Sequence, residues 1–345
     1  MSIKFTEKSA DLIEHRLWIH DHAPTQLNQI IGNPMIIDTL TSCLKNNQIP
    51  NLIFCGPNGS GKTITAKILV QEYLGTFYRN CNMEIIGSIY RGKNVVTEKS
   101  DKKKVSDTSG DNPNIVNFIR KSSQLPPHKC RIVTIFDFDC MTNEAQMALR
   151  RIIEIYSEKV RFIFICNNLN KIIEALQSRT LILKFSSPMT EEIINRLKEI
   201  SEIEKLTISD EIYQAIGIIS NNDIKQAINY LQVFSNSSDK NVENFYHLFN
   251  MPSIACITQI IHQCLEDNPS SHAQAFTTLD LLIDNGYNVS DLLDIIVKVL
   301  MYNKDLSASN RVLMLEETIK IICLCEQSNS VIHLYQLLTT WITHH

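Results

Sequence analysis

The chain lacks any Cys-x-x-Cys pair among its ten cysteines, and Cys323 and Cys325 are spaced wrongly for a zinc knuckle. Cys55, Cys166 and Cys264 lie instead in apolar runs, the pattern of reduced core thiols and not of a disulfide framework. Long apolar runs are missing too. None approaches the roughly 18 residues of a membrane helix, and Met1 to His20 is polar, without the apolar centre of a secretion signal. The expectation is a soluble, intracellular protein with no membrane partner. An excess of one charge is also absent: the net charge is −4 over 345 residues, so contact with nucleic acid must come from a local surface. What remains is 44% apolar residues at a length that accommodates two or three ordinary cores.

The apolar run Leu52-Ile53-Phe54 leads into Gly56-Pro57-Asn58-Gly59-Ser60-Gly61-Lys62-Thr63, and a helical pattern from Ile64 to Tyr73 follows. Glycines at this spacing between a strand and a helix let the backbone curl so that several amide N–H groups face a triphosphate. Lys62 then reaches the outer phosphates, and the Thr63 hydroxyl is placed to ligate Mg2+. A nucleoside triphosphate, ATP or GTP, is the expected ligand.

Around this loop, Asn51 to Cys55, Arg131 to Phe136, Arg161 to Cys166 and Leu181 to Phe185 read as strands alternating with helical patterns. That alternation predicts an α/β fold, a parallel sheet with helices on both faces. Residues from about 80 to 112, with the mixed-charge run Glu98 to Lys104 followed by Ser, Gly, Asn and Pro, read as a partly disordered surface insertion. Its three consecutive lysines leave a DNA-touching arm as the rival to a solvated loop. A small helical segment begins after Pro188, with Ile193, Leu197 and Ile200 on one face. Beyond the polar linker Ser235 to Asn241 come amphipathic helices, among them Ile257 to Leu265, Phe276 to Asn285, Leu292 to Met301 and Val312 to Cys325. That last stretch has no internal repeat, no heptads and no further catalytic constellation. The expected boundaries are 1–187 for the nucleotide-binding domain, 188–236 for a helical lid and 237–345 for an all-helical domain.

The run from Met141 to Ser157, followed by Arg161 to Asn167, Lys171-Ile172-Ile173 and Gln177-Ser178-Arg179, resembles the small subunits of replication factor C, the sliding-clamp loader. Trp18 to Pro24 is similar to a weakened form of that family's opening motif. Ala273-Gln274-Ala275, Asp284 to Tyr287 and Asp291-Leu292-Leu293 look like its collar. The resemblance implies an AAA+ ATPase with a helical lid and a collar that joins five subunits into a ring. It also implies ATP and Mg2+ as cofactors. Partners would be the other subunits of a hetero-pentamer, a sliding clamp and primer-template DNA. The location would be the nucleus of a eukaryotic cell, or the replication site of a large DNA virus. A lone AAA+ DNA remodeller, of branch-migration or initiator type, is the alternative.

The resemblance also assigns residues. Asn167 matches the first sensor, a polar group near the γ-phosphate whose rival reading is a turn asparagine beside Asn168. Arg179, in Ser178-Arg179-Thr180, matches an arginine finger acting in the neighbouring subunit's site. Lys225, in Asn222 to Asn229, stands where the family has its second-sensor arginine, and it brings a point charge without the bidentate fork. Arg150 and Arg151 are read as starting a helix that lines the DNA channel. At about 100 degrees per residue the two cannot face the same way. Besides Lys225, a second departure weakens catalysis. The family's Asp-Glu-Ala-Asp becomes Phe136-Asp137-Phe138-Asp139, so the metal-side carboxylate is lost and the base is one methylene short, about 1.5 Å. In a shifted register Asp137 would take the Mg2+ side instead. Weak hydrolysis at the chain's own site is expected in either register.

Overall fold

Runs of Ile, Val and Phe that are apolar at nearly every position leave a strand no polar face, so both faces must be covered. The computed structural model, which describes residues 17–92, 114–120, 126, 129–237, 241–266, 268–302, 306–325, 328 and 330–343, covers them with helices. In chain order come α1 (Trp18–Asp21), α2 (Pro34–Lys45), β1 (Leu52–Cys55), α3 (Lys62–Leu74), α4 (Tyr78–Cys81), β2 (Asn82–Ile86), α5 (Ile115–Arg120), β3 (Arg131–Phe136), α6 (Asn143–Ile155), β4 (Val160–Cys166), α7 (Glu174–Gln177) and β5 (Leu181–Lys184). The helices α8 (Thr190–Ile203), α9 (Asp210–Ile219), α10 (Ile224–Ser235), α11 (Val242–Leu248), α12 (Ile254–Leu265), α13 (Pro269–Asp284), α14 (Val289–Tyr302), α15 (Ala308–Cys325) and α16 (Ile332–Thr343) complete it.

The five strands are parallel in the order β2-β3-β4-β1-β5. Their alternate side chains divide the core in two. Leu52, Phe54, Ile132, Ile163 and Ile165 pack with Ile37 and Leu40 of α2 and with Ala66, Leu69 and Val70 of α3. Ile53, Val133, Ile135, Phe162 and Phe164 pack on the opposite face with α5, with Leu149 and Ile153 of α6 and with Leu176 of α7. The expected α/β sheet with helices on both faces is what forms.

One strand was not anticipated. Residues 82–86, assigned from sequence to the start of a surface insertion, form β2 and pair in register with β3, from Asn82 opposite Ile132 to Ile86 opposite Phe136. As an edge strand it buries only Ile85 completely, so it carries no apolar run to announce it. The rest of that expected insertion, from residue 93, lies outside the described residues.

Helix α6 starts where Thr142 accepts a hydrogen bond from the Ala145 N–H at 3.4 Å, with Glu144 in its first turn. Arg150 and Arg151 therefore sit in its third turn and not at its start. On its buried side Gln146, with no exposed surface, donates to the Met141 and Lys171 carbonyls at 3.3 and 3.1 Å and accepts from the Ile173 N–H at 3.0 Å. Two of these bonds tie α6 to the segment after β4, and the third ties it to the turn that precedes it. Gln146→Leu keeps the bulk but strands those backbone groups. It should destabilise this unit by about 1–3 kcal/mol, read as a lower urea midpoint for its unfolding.

By compactness the chain forms two units. One runs up to Arg196 and includes Asn222–Asn229; the other holds Leu197–Asn221 and everything from Tyr230. The second unit is helical, and its main core joins Ile257 and Ile261 of α12, Leu292 and Ile296 of α14, and Leu337 and Trp341 of α16. A cluster of Tyr230, Phe234, Phe245 and Phe249, with ring centroids 4.7–5.6 Å apart, forms a satellite. Among the described residues no helix is long and apolar enough to cross a membrane.

Candidate nucleotide site

The loop between β1 and α3 is held in a shape that ordinary residues could not take. Gly56 has φ 154°, and a Cβ there would lie 2.2 Å from the Phe185 carbonyl oxygen. Gly59 has φ 74°, and a Cβ would come within 2.3 Å of Asp223 Cγ. Ser60 Oγ braces the loop by donating to the Pro57 carbonyl at 2.8 Å, and Gly61 caps α3, so the helix N-terminus faces the loop's interior. Pro57 and Asn58 form the bend between these anchors. Gly59→Ala combines a strained φ with a clash at Asp223. It should weaken nucleotide binding at least tenfold, measurable with a fluorescent ATP analogue.

Lys62 opens α3 and is 6% exposed. Its Nζ donates to the Gly56 and Pro57 carbonyls at 2.8 and 2.6 Å, so the ammonium lies across the loop where phosphate oxygens would compete for it. Burial holds this ammonium below the usual lysine range, opposed by the nearby thiols of Cys166 and Cys55; Lys225 adds to the lowering and Asp139 opposes it. An anionic ligand reverses the burial effect, so the site is built to gain from negative charge. Those same influences place Lys225, on the first turn of α10, and Asp139 within electrostatic reach of the loop. Lys225 itself is exposed, and its N–H donates to Asp223 Oδ1 at 2.8 Å.

Beside Gly59, Ser60 and Gly61 lies a mostly apolar, open hollow walled by Ile30, Ile64, Pro188, Ile224 and Ile228. Arg196 closes one side by donating to the His22 carbonyl at 2.9 Å. An apolar slot adjoining a ring of backbone amides and a buried ammonium suits a flat base joined to a phosphate chain.

The metal side fits less well. Phe136 packs among the side chains facing α3, and Lys67 Nζ lies 5.8 Å from its ring centroid. The end of β3 therefore presents a ring and an ammonium where a carboxylate would serve a dication. Asp137 follows in a left-handed turn (φ 49°), and its Oδ2 accepts from Ser88 Oγ at 3.1 Å. Half-buried Thr63, in the first turn of α3, brings a hydroxyl. Thr63 with Asp137 and Asp139 is a thin donor set for Mg2+, which prefers near-octahedral oxygen ligation. Sequence reasoning passed over Ser88, Lys67 and the influence of Asp139. Asp139 closes the Phe-Asp-Phe-Asp run and could have been weighed, whereas Ser88 was hidden in the supposed insertion.

Asn167 follows the last residue of β4: its carbonyl accepts from Cys55 Sγ at 3.6 Å, and its side chain is exposed. The local turn bond belongs to Asn168, whose side chain accepts from the Asn170 N–H at 2.9 Å. Cys55 and Cys166 are register partners on β1 and β4, and burial together with Cys55 pushes the Cys166 thiol well up. Arg179, just beyond α7, stands apart from this group. It donates to the Ala175 carbonyl at 2.7 Å and pairs with Glu154 of α6 at 2.8 Å. Glu154 also meets half-buried Arg150 at 3.3 Å, while Arg151 is exposed.

Comparison with known proteins follows the same division of the chain. Residues 52–188 match the ATPase family associated with various cellular activities (AAA), and residues 252–340 match the replication factor C C-terminal domain. Replication factor C subunit 2 of Arabidopsis thaliana is 33% identical over 302 residues, covering 87% of this chain and 85% of that protein. A replication factor C small subunit of Sulfolobus acidocaldarius is 32% identical, covering 84% of each. Among solved structures, the RuvB Holliday junction branch migration motor of Thermotoga maritima superposes with a TM-score of 0.52 at 14% identity, over 69% of this chain and 79% of that one. At that identity the likeness concerns the fold alone.

Proposed function

This chain belongs to the replication factor C small-subunit family, and from that premise we propose that it is an ATP-binding subunit of a replication factor C-like clamp loader. In this reading it helps to place a ring-shaped sliding clamp on primer-template DNA during replication, as part of an ATPase complex. The observation that carries the reading is the pairing, in one chain, of an AAA phosphate-loop unit with a replication factor C C-terminal domain. The likeness to a branch-migration motor does not compete, because at 14% identity it concerns the fold alone.

Each residue then has a task. The loop from Gly56 to Thr63 holds ATP, with Lys62 on its outer phosphates and the apolar hollow around its base. Lys225 adds a point charge from the lid, residues 188–236, and Asn167 addresses the attacking water or the γ-phosphate. Phosphoryl transfer needs a positioned base and cations on the developing charge. Here the base is Asp137, one methylene short and already engaged by Ser88, and the site offers Mg2+ a thin set, Thr63 with Asp137 and Asp139. Hydrolysis at this site is accordingly weak. Arg179 completes the site of a neighbouring subunit, and the collar, residues 237–345, joins the chain to the others of a hetero-pentamer. Arg150 and Arg151 cannot face the same way, so one of them faces the DNA backbone, by charge and without sequence preference. In a eukaryotic host the place of action is the nucleus.

Co-expression with four related subunits tests this reading. A five-subunit assembly that loads clamp on primed DNA, and fails to form or load when this chain is omitted, is the expected result. A ring made of this chain alone that moves DNA junctions without a clamp would sink it.

A further inference from the structure

Glu154 lies on the exposed side of α6, a helix whose other side is anchored in the core through Leu149, Ile152 and Ile153. One carboxylate oxygen, Oε1, faces two guanidinium groups, Arg179 Nη2 at 2.8 Å and Arg150 Nε at 3.3 Å. The other bonds of Arg179 are local: Nη1 donates to the Ala175 carbonyl at 2.7 Å and to Ser178 Oγ at 3.2 Å. Those two partners belong to the finger's own turn, at the end of the four-residue helix α7, and they move with it. Glu154 is different, because it ties the guanidinium to a helix that the sheet holds in place.

We propose that Glu154 is the positioning residue of Arg179, fixing the direction in which the guanidinium leaves this subunit toward its neighbour's nucleotide. The inference rests on the trans-acting role proposed for Arg179. Glu154 touches neither nucleotide nor reacting atoms, so it acts through the arginine. The physical case is one of preorganisation. An arginine side chain is long and flexible, and a carboxylate paired with one edge of its fork narrows the orientations it samples. Misplacement of a group that stabilises a transition state by about 1 Å can cost a large factor in rate without affecting how tightly the ground state binds.

The test is a double-mutant cycle in the full reconstituted assembly with clamp and primed DNA, using Glu154→Gln, Arg179→Ala and the pair. Glu154→Gln should lower kcat for ATP by roughly three- to tenfold with KM changed less than about twofold, because the loss is in orientation. In the Arg179→Ala background the same change should cost almost nothing, and Glu154→Asp, which keeps the charge, should recover part of the rate. Thermal unfolding of each assembly shows whether folding is intact. If Arg179→Ala lowers turnover but Glu154→Gln does not, the positioning role is wrong while the finger stands. An equal Glu154→Gln loss in both backgrounds also overturns it, since the carboxylate then works through something else. No loss from Arg179→Ala removes the finger itself, and this inference with it.

Discussion

Replacing Arg179 by alanine in the assembled ring should slow hydrolysis at the neighbouring site by roughly a thousandfold, the low end of what arginine fingers contribute. Lys62→Ala should cost far less, about threefold or under in total turnover, even though it strips the buried ammonium from this chain's own phosphate loop. The asymmetry follows from where each charge sits. Lys62 serves a site whose strand end carries Phe136 and whose base, Asp137, is short and bonded to Ser88. Arg179 makes its contacts on α6 and α7, with no hydrogen bond or ion pair to the chain's own loop among the described residues. Phosphate release by the assembly, with clamp and DNA present, reads both variants. A comparable loss from Lys62→Ala would mean that Asp137 supports hydrolysis, and the weak-site reading would fall.

How much of this could be read in advance depended on how far each signal was local. The phosphate loop was legible because its glycines meet a backbone requirement that no other residue satisfies, at Gly56 against Phe185 and at Gly59 against Asp223. β1, β3 and β4 were legible because burial on both faces leaves nearly continuous apolar runs, and the edge strand β5, though it buries only Leu183, still carries the run Leu181-Ile182-Leu183. β2 was not, since an edge strand that buries only Ile85 has no such run, and missing it also hid Ser88. The helices of the second unit were legible in type but not in extent: α13 begins at Pro269, seven residues before the apolar pattern at Phe276, on an Asn268 cap whose side chain accepts from the Ser270 N–H. What sequence could not supply was pairing across elements. That Glu154 meets Arg179, that Gln146 bonds the backbone of Lys171 and Ile173, and that Lys67 lies over Phe136 depend on which surfaces the sheet brings together.

The pairing of Lys67 with Phe136 leads to the second large effect. If the site is weak because β3 ends in a ring, then Phe136→Asp combined with Asp137→Glu should restore what is missing. The new carboxylate would face α3, where Thr63 supplies its hydroxyl, and the longer base would regain about 1.5 Å of reach. Nucleotide affinity should then depend on Mg2+ by at least tenfold between chelator and millimolar metal, where the natural chain changes little. Single-turnover hydrolysis at this site should rise by roughly tenfold to a hundredfold in the assembly. Two effects oppose the gain. Removing the ring from its packing should cost about 1–3 kcal/mol of stability, and the Lys67 ammonium would compete with the metal for the new carboxylate. Adding Lys67→Ala should therefore sharpen the Mg2+ dependence further. An assembly that stays folded yet shows no new metal dependence in either background would place the weakness elsewhere than at Phe136, with the engagement of residue 137 by Ser88 as the remaining cause, separable by Ser88→Ala.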